Sequence, residues 1–205
     1  MALCDIAPEL TGHLEQFQTG GLFDDGRTVA AFLPALSSIH AVRANAARGL
    51  ILVSPFYWDQ NDQTRSFAGR FIPDTDQMPD AAPAAAYAAV RHYLRTAIVT
   101  EALDAARINQ EMQRMRAYFF GRSASLRPDG RTAIDLSLLR VKRAEAMHAE
   151  WDHYQQISVI PAADMDLLSN RTGSPHCPVT MPVTRPSWTS GLDWFLISGP
   201  GKAKR

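Results

Sequence analysis

The stretch Gly49-Leu-Ile-Leu-Val-Ser-Pro-Phe-Tyr-Trp-Asp59 constrains the fold more than any other part of the chain. Its first half sets Leu50, Ile51, Leu52 and Val53 between Gly49 and Pro55. The run is too short for an ordinary helix. Continuous apolar character over such a length suits a strand covered on both faces, as in a parallel α/β sheet. Three aromatics and a carboxylate follow immediately. In open α/β sheets the carboxyl ends of strands are where ligands bind, because strand ends and helix N-termini present unpaired polar groups there. Phe56, Tyr57, Trp58 and Asp59 therefore either face a ligand or pack a chain that crosses between layers. The residues alone leave both readings open.

The surrounding pattern alternates helices with short strands. Residues 14–22 read as the end of a helix stopped by Gly20-Gly21, and Asp24-Asp25-Gly26 reads as a turn. Residues 28–33 form a short apolar strand ended by Pro34, and residues 38–47 are Ala-rich and helical, capped by Ser37 or Ser38. Asp62 caps a helix through Phe71 that places Phe67 and Phe71 on one face, and residues 73–83 read as a loop. Residues 84–106 carry the strongest helical period, with Tyr87, Val90, Leu94, Ala97 and Ile98 in one apolar stripe. A further helix from Asp104 turns Ile108, Met112 and Met115 inward. The period then changes. Pro128-Asp129-Gly130 marks a turn, and Ile134, Leu136 and Leu138 alternate with Asp135, Ser137 and Leu139, predicting a hairpin. Residues 151–160 read as another strand, ended by Pro161. Five prolines interrupt residues 170–205, which are expected to form a poorly structured tail after a domain spanning residues 1–169.

Composition excludes several classes. The 21 Lys and Arg balance 21 Asp and Glu, and the arginines are scattered, so the basic excess of a nucleic-acid-binding surface is missing. No apolar run approaches the ~18 residues that span a bilayer. Residues 1–14 have no basic start and carry Asp5 and Glu9, so a chain that begins at Met1 is expected to stay in the compartment where it is made. Cys4 and Cys177 make no metal spacing and no disulfide framework, although one long-range disulfide remains possible in an oxidising space. His148 and His153 are five residues apart and face different ways on a helix or a strand, which argues against a metal site with Asp152. No Ser-His-Asp or Cys-His arrangement and no Gly-rich phosphate loop occurs, so nothing supports an enzyme or calls for a cofactor.

An ordered series of short motifs carries a resemblance. Phe56-Tyr57-Trp58-Asp59-Gln60-Asn61-Asp62-Gln63-Thr64-Arg65-Ser66-Phe67 and Arg70-Phe71 resemble the lobe-crossing segment of ABC transporter substrate-binding proteins, in the branched-chain amino acid and amide family with the type I periplasmic binding protein fold. In register with it, residues 86–94 (AYAAVRHYL) resemble the family's Tyr-Ser-Ala-Val-x-His-Tyr-Leu helix. Phe119-Phe120 and Arg127-Pro128-Asp129-Gly130-Arg131 resemble its Phe-Phe and Arg-x-Asp-Gly-Arg hairpin. Val141-Lys142, Trp151-Asp152-His153-Tyr154, Ile160-Pro161 and Cys177-Pro178 follow in order, and Ile39-His40-Ala41 and Ala47-Arg48-Gly49-Leu50 precede. Ser38 and Arg43 stand where the family often has Asp and Gly.

The resemblance covers only the C-terminal half of such proteins. It implies an incomplete α/β fold: part of the second lobe, helices that complete the first, and a C-terminal hairpin. The implied activity is capture of an amino acid, amide or small aromatic acid between hinged lobes in the periplasm, for delivery to an ABC permease. Tyr57, Trp58 and Asp59 would then sit at the hinge and cleft. Tyr87, in the first turn of its helix, would face a ligand carboxylate, and His40 would lie on the second lobe facing the cleft. Core packing for Tyr87 and a surface or capping role for His40 are the alternatives. A rival class is an interaction or regulatory domain whose orphaned apolar face, Val90–Leu94–Ile98, pairs with a second copy or a partner protein.

Overall fold

The computed structural model describes residues 2–3, 9–23, 28–32, 34–42, 46–101, 103–127 and 130–164. The expected turn at residues 24–26 and the expected tail at 170–205 lie outside them. In chain order the elements are β1 (Ala2–Leu3), α1 (Glu9–Thr19), β2 (Ala30–Phe32), α2 (Leu36–Ala41) and β3 (Ile51–Ser54), then α3 (Asp62–Thr75), α4 (Ala81–Thr100) and α5 (Ala105–Arg114). They continue with β4 (Ala117–Phe119), β5 (Arg122–Leu126), β6 (Thr132–Ala133), β7 (Leu136–Val141) and β8 (Tyr154–Ile160). None of these helices is long and apolar enough to cross a membrane.

Two hydrophobic clusters organise these elements. The first gathers Leu10 and Leu14 of α1, Leu36 and Ile39 of α2, and Leu52, Leu139 and Val141 of the larger sheet. The second gathers Phe56, Phe67, Phe119, Phe120 and Ile134. The chain leaves the first cluster after β3, builds α3 to β6 around the second, and returns along β7. The larger sheet has the order β1-β2-β3-β7-β8. Its β1, β2 and β3 are mutually parallel, whereas β7 pairs antiparallel with both β3 and β8. β3 thus stands where the sheet changes direction, and the expected parallel environment holds on one side of it only. Burial of β3 is correspondingly one-sided: Leu52 and Ser54 are buried, Ile51 and Val53 half-buried. Gly49 takes φ +80 in the turn that feeds β3, a conformation side chains other than glycine resist.

Local chemistry explains most boundaries, including those that differ from expectation. The cap of α3 is Asn61, one residue before the expected Asp62. Asn61 Oδ1 accepts from Gln63 N at 2.9 Å and Thr64 N at 3.0 Å, while Thr64 Oγ1 accepts from Asn61 N, closing a reciprocal capping box. The helix runs past Phe71 to Thr75 because Pro73 sits in its last turn, where little of the helix is left to disturb. Most of the expected 73–83 loop is therefore helix, since Asp80 caps α4 and Pro83 falls in its first turn. Neither Ser37 nor Ser38 caps α2. Both lie inside it, and Ala35 precedes it without a side-chain bond.

Two face assignments reverse. α4 buries Ala84, His92 and Thr96, while Val90, Leu94 and Ile98 are 59%, 52% and 75% exposed. The polar inward residues are satisfied locally: His92 Nε2 donates to Met112 O at 3.0 Å and Thr96 Oγ1 to His92 O at 2.9 Å. In β7 the buried residues are Ser137, Leu139 and Val141, the phase opposite to the expected Leu136 and Leu138. Ser137 tolerates burial because Gln60 Nε2 donates to its Oγ at 2.6 Å and that hydroxyl donates to Gln156 Oε1 at 3.2 Å. Across the 127–131 turn β5 pairs with β6, as expected, but β7 then leaves to join the larger sheet.

Candidate functional site

Residues 54–58 are the outward crossing between the clusters, and their side chains sort to alternate sides. Phe56 belongs to the second cluster and Tyr57 to the first, and Trp58 packs against both. Ser54 Oγ donates to Phe56 O at 2.8 Å, which turns the chain as it leaves β3. Arg122 braces both passages: one guanidinium nitrogen donates to Pro55 O on the way out, the other to Asp135 O on the way back at 3.0 Å. Burial lowers the Arg122 pKa, and the nearby Asp135 charge opposes this.

A cleft of about 400 Å³ opens beside this crossing. Its walls come from the start of α2 (Leu36), the end of β3 (Leu52, Ser54), the crossing (Phe56, Tyr57), the first turns of α4 (Asp80, Ala85) and β8 (Tyr154). The volume and the largely apolar lining, broken by a few polar groups, suit a small ligand.

Behind the cleft lies a hydrogen-bonded anchor. The Tyr57 hydroxyl donates toward Trp151 O at 3.3 Å and Asp152 Oδ1 at 3.4 Å, and accepts from Tyr154 N at 3.3 Å. Burial pushes this phenol up, although the Tyr154 amide works against it, so it stays protonated. Trp58 Nε1 donates to Trp151 O at 2.9 Å. Asp152, itself buried, accepts from Lys142 Nζ at 2.6 Å and from His148 N at 3.0 Å. Burial alone would raise its carboxyl, but Lys142 and the His148 amide outweigh that and hold it below the usual range. Next to it, His153 Nε2 lies 3.0 Å from His40 Nδ1, and His40 stacks on Trp151 at 3.9 Å with 14° between the planes. His153 is 2% exposed, and its Nδ1 has no partner among the described residues. One tautomer accommodates this arrangement: His153 donates from Nε2 to His40 Nδ1, leaving His40 Nε2 to face Glu150 Oε1 at 3.8 Å.

The structure thus brings three of the five sequence-derived site residues, Tyr57, Trp58 and His40, onto the segment 151–154; of the five, Tyr57 alone lines the cleft. Asp59 lies at the surface, paired with Arg65 at 2.8 Å. Tyr87 sits in the second turn of α4, because that helix starts at Ala81. Its ring packs on Phe67 at 5.0 Å and under the Arg70 guanidinium at 5.9 Å. Asp80 and Tyr154 were not among the sequence-derived site residues. Asp80 was legible as a helix cap, a polar residue between Pro79 and an Ala-rich run; Tyr154 stands out only as the end of the Trp151-Asp152-His153-Tyr154 motif, which by itself points to no cleft. Among the described residues no group of three His, Cys, Asp or Glu is placed to hold a metal ion.

Two clusters joined by the paired strands β3 and β7, with a cleft beside the crossing, make up the architecture to be compared with known folds. The sequence pattern of the periplasmic binding proteins matches residues 2–146, and the chain belongs to that family. No curated protein matches it by sequence. Among solved structures it is similar to a branched-chain amino acid ABC transporter periplasmic ligand-binding protein from Burkholderia xenovorans LB400, with 23% identity and a TM-score of 0.71 over 80% of this chain and 44% of that one. A leucine binding protein from Thermotoga maritima MSB8 gives 17% and 0.62, covering 80% and 45% of the two chains. A solute binding protein of an ABC transporter from Rhodopseudomonas palustris BisB5, in complex with 3,4-dihydroxy benzoic acid, gives 15% and 0.63, covering 78% and 45%. The fold is that of the type I periplasmic binding proteins in part, since the chain spans less than half the length of these structures.

Proposed function

We propose that this chain is the solute-binding component of an ABC importer, or a part of one, acting in the periplasm by binding rather than catalysis. A small solute, an amino acid, amide or aromatic acid, would occupy the cleft, and the closed form would be presented to a membrane permease. The observation that carries this reading is the cleft itself, walled from both clusters at the point where the chain crosses between them. A solute touching both sides favours the closed arrangement by its differential contacts. In this reading Tyr57 meets the solute, Trp58 and Asp59 flank the hinge, His40 steadies the 151–154 anchor, and Tyr87 faces the part of the fold outside this sequence. We assign the binding-protein-like part to residues 1–169.

The isolated chain is expected to bind weakly. Half a cleft offers roughly half the contacts, while the loss of translational and rotational freedom on binding is undiminished. Nuclear magnetic resonance titration with amino acids and aromatic acids should shift the amides of Ser54, Phe56, Tyr57, Ala81, Ala82 and Ala85. A panel in which no solute moves them would sink the proposal. Calorimetry should find no dissociation constant tighter than about a micromolar, a value near −8 kcal/mol; a much tighter one would mean that the half-cleft suffices.

The exposed α4 stripe favours a second reading, an interaction domain that pairs through Val90, Leu94 and Ile98. Light scattering after size-exclusion chromatography separates the two. Changing Leu94 and Ile98 together to Glu should alter stability by no more than about 0.5 kcal/mol, because both are exposed, while abolishing any association that the stripe drives.

A further inference from the structure

The cleft is charged in one sense only. Asp80 is its single charged lining residue, and no Lys, Arg or His reaches the wall among the described residues. A helix as long as α4 ordinarily offers its N-terminus to an anion. Here that position is occupied by the chain's own carboxylate. Asp80 Oδ1 accepts from Ala82 N at 3.0 Å, Pro83 has no N–H to give, and Ala84 N donates to Asp80 O at 3.3 Å. A solute carboxylate arriving at this end of the cleft would meet Asp80.

Tyr154 forms another part of the wall. It is 5% exposed, and its hydroxyl has no hydrogen-bond partner among the described residues. A buried hydroxyl left unpaired costs about 1–3 kcal/mol, and such groups are rare enough to need a reason. Burial first, and then neighbouring Tyr57 and the Asp80 carboxylate, push the Tyr154 phenol up, so it remains a neutral hydroxyl whose oxygen can accept. The rest of the wall is mainly apolar, with Leu36, Leu52, Phe56 and Ala85 among its residues. An acceptor carboxylate and an unpaired hydroxyl in an apolar cleft are complementary to a group with several N–H donors, positive charge and a short hydrocarbon attached.

We infer that this cleft takes the amino end of a small aliphatic solute, between the Asp80 carboxylate and the Tyr154 hydroxyl, and leaves any carboxylate end to residues beyond those that line it. The inference rests on the cleft being the solute site, as proposed above, and adds which end of the solute this half holds. It divides the solutes named for similar structures: leucine carries such a group, and 3,4-dihydroxy benzoic acid does not.

The test separates head groups on one branched hydrocarbon and adds an aromatic acid. Resonance titrations of the chain would use isoamylamine, isocaproate, leucine and benzoate. Isoamylamine and leucine should shift the amides of Ala81, Ala82 and Tyr154, and isocaproate and benzoate should not. Asp80→Asn keeps a competent helix cap and should weaken isoamylamine binding about tenfold or more, the usual scale for losing a charged hydrogen-bond partner. Tyr154→Phe should weaken it by a smaller factor while leaving the chain folded. Shifts from the two acids alone would overturn the inference and leave the solute-binding reading standing. Amine binding that Asp80→Asn does not change would also overturn it. Silence from all four compounds would defeat both.

Discussion

Asp152→Ala is expected to lower the unfolding free energy by about 3 kcal/mol, the scale for removing one partner of a buried ion pair. The carboxylate holds three elements together. It pairs with Lys142 just after β7 at 2.6 Å, accepts the His148 amide at 3.0 Å, and receives the Tyr57 hydroxyl from the crossing. Lys142 is itself mostly covered, with 19% of its side chain exposed, so truncating Asp152 strands an ammonium and an amide together. That stranding, rather than the loss of attraction, dominates the effect. Two variants check the explanation. Lys142→Met alone leaves an uncompensated buried carboxylate and should be costly too, whereas combining it with Asp152→Leu removes both charges and should be more stable than Asp152→Ala. Urea unfolding of the four proteins measures this directly. A loss below about 1 kcal/mol for Asp152→Ala would place it among ordinary surface pairs and remove the anchor from the account of the crossing.

The sequence showed the crossing clearly and its surroundings unevenly. Leu50 to Val53 followed by Pro55 and three aromatics is an unusual junction, and its residues do pass from one cluster to the other. Gly20-Gly21 ends α1 as the turn chemistry requires. The β4–β5 hairpin left no comparable trace. Its two-residue turn is Phe120-Gly121, both with positive φ, and such turns are usually marked by Asn or Asp before the glycine. Phe120 takes that conformation because its ring is buried among Phe56, Phe67 and Phe119, and its carbonyl accepts from Asn61 Nδ2 at 3.1 Å. Tertiary packing here overrides a local preference that sequence patterns can read. The α4 stripe misled for a related reason. Helical period shows which residues share a face, but what covers that face depends on elements far away in the chain.

The site was legible to the extent that it is local. Tyr57 and Trp58 follow β3 directly, so strand-end reasoning reached them. The five-residue spacing from His148 is the one local relation that the sequence offers for His153. Its actual partner, His40, is 113 residues away, a separation that no motif spans. Asp80 and Tyr154 meet at the cleft only because β8 lies beside β7 and α4 starts against the crossing, a product of topology.

Acid should destabilise this protein well before its carboxylates titrate, and His153 is the reason. Burial first, and then the neighbouring His40, lower its pKa from 6.5 to about 4, against a smaller opposite pull from Asp152. A proton added at Nδ1 would enter a buried position with no acceptor among the described residues, while Nε2 is already committed to His40. Because the folded pKa lies below the unfolded one, the unfolded chain binds the extra proton first. Stability is therefore full above about pH 6.5, falls as the pH drops toward about 4, and loses nothing further from this group below that. Between about pH 7.5 and pH 5 the loss should be about 2 kcal/mol. Asp152, with its lowered carboxyl, adds a second loss of the same sign at still lower pH. Urea unfolding at the two pH values, on the parent chain and on His153→Gln, tests the assignment. The variant keeps an amide N–H for His40 but has nothing to titrate, so most of its pH step should vanish. An equal step in both proteins would move the acid sensitivity elsewhere. A loss confined to the parent would mean that acid loosens the 151–154 segment on which Tyr57 and Trp58 are anchored, and with it the crossing that shapes the cleft.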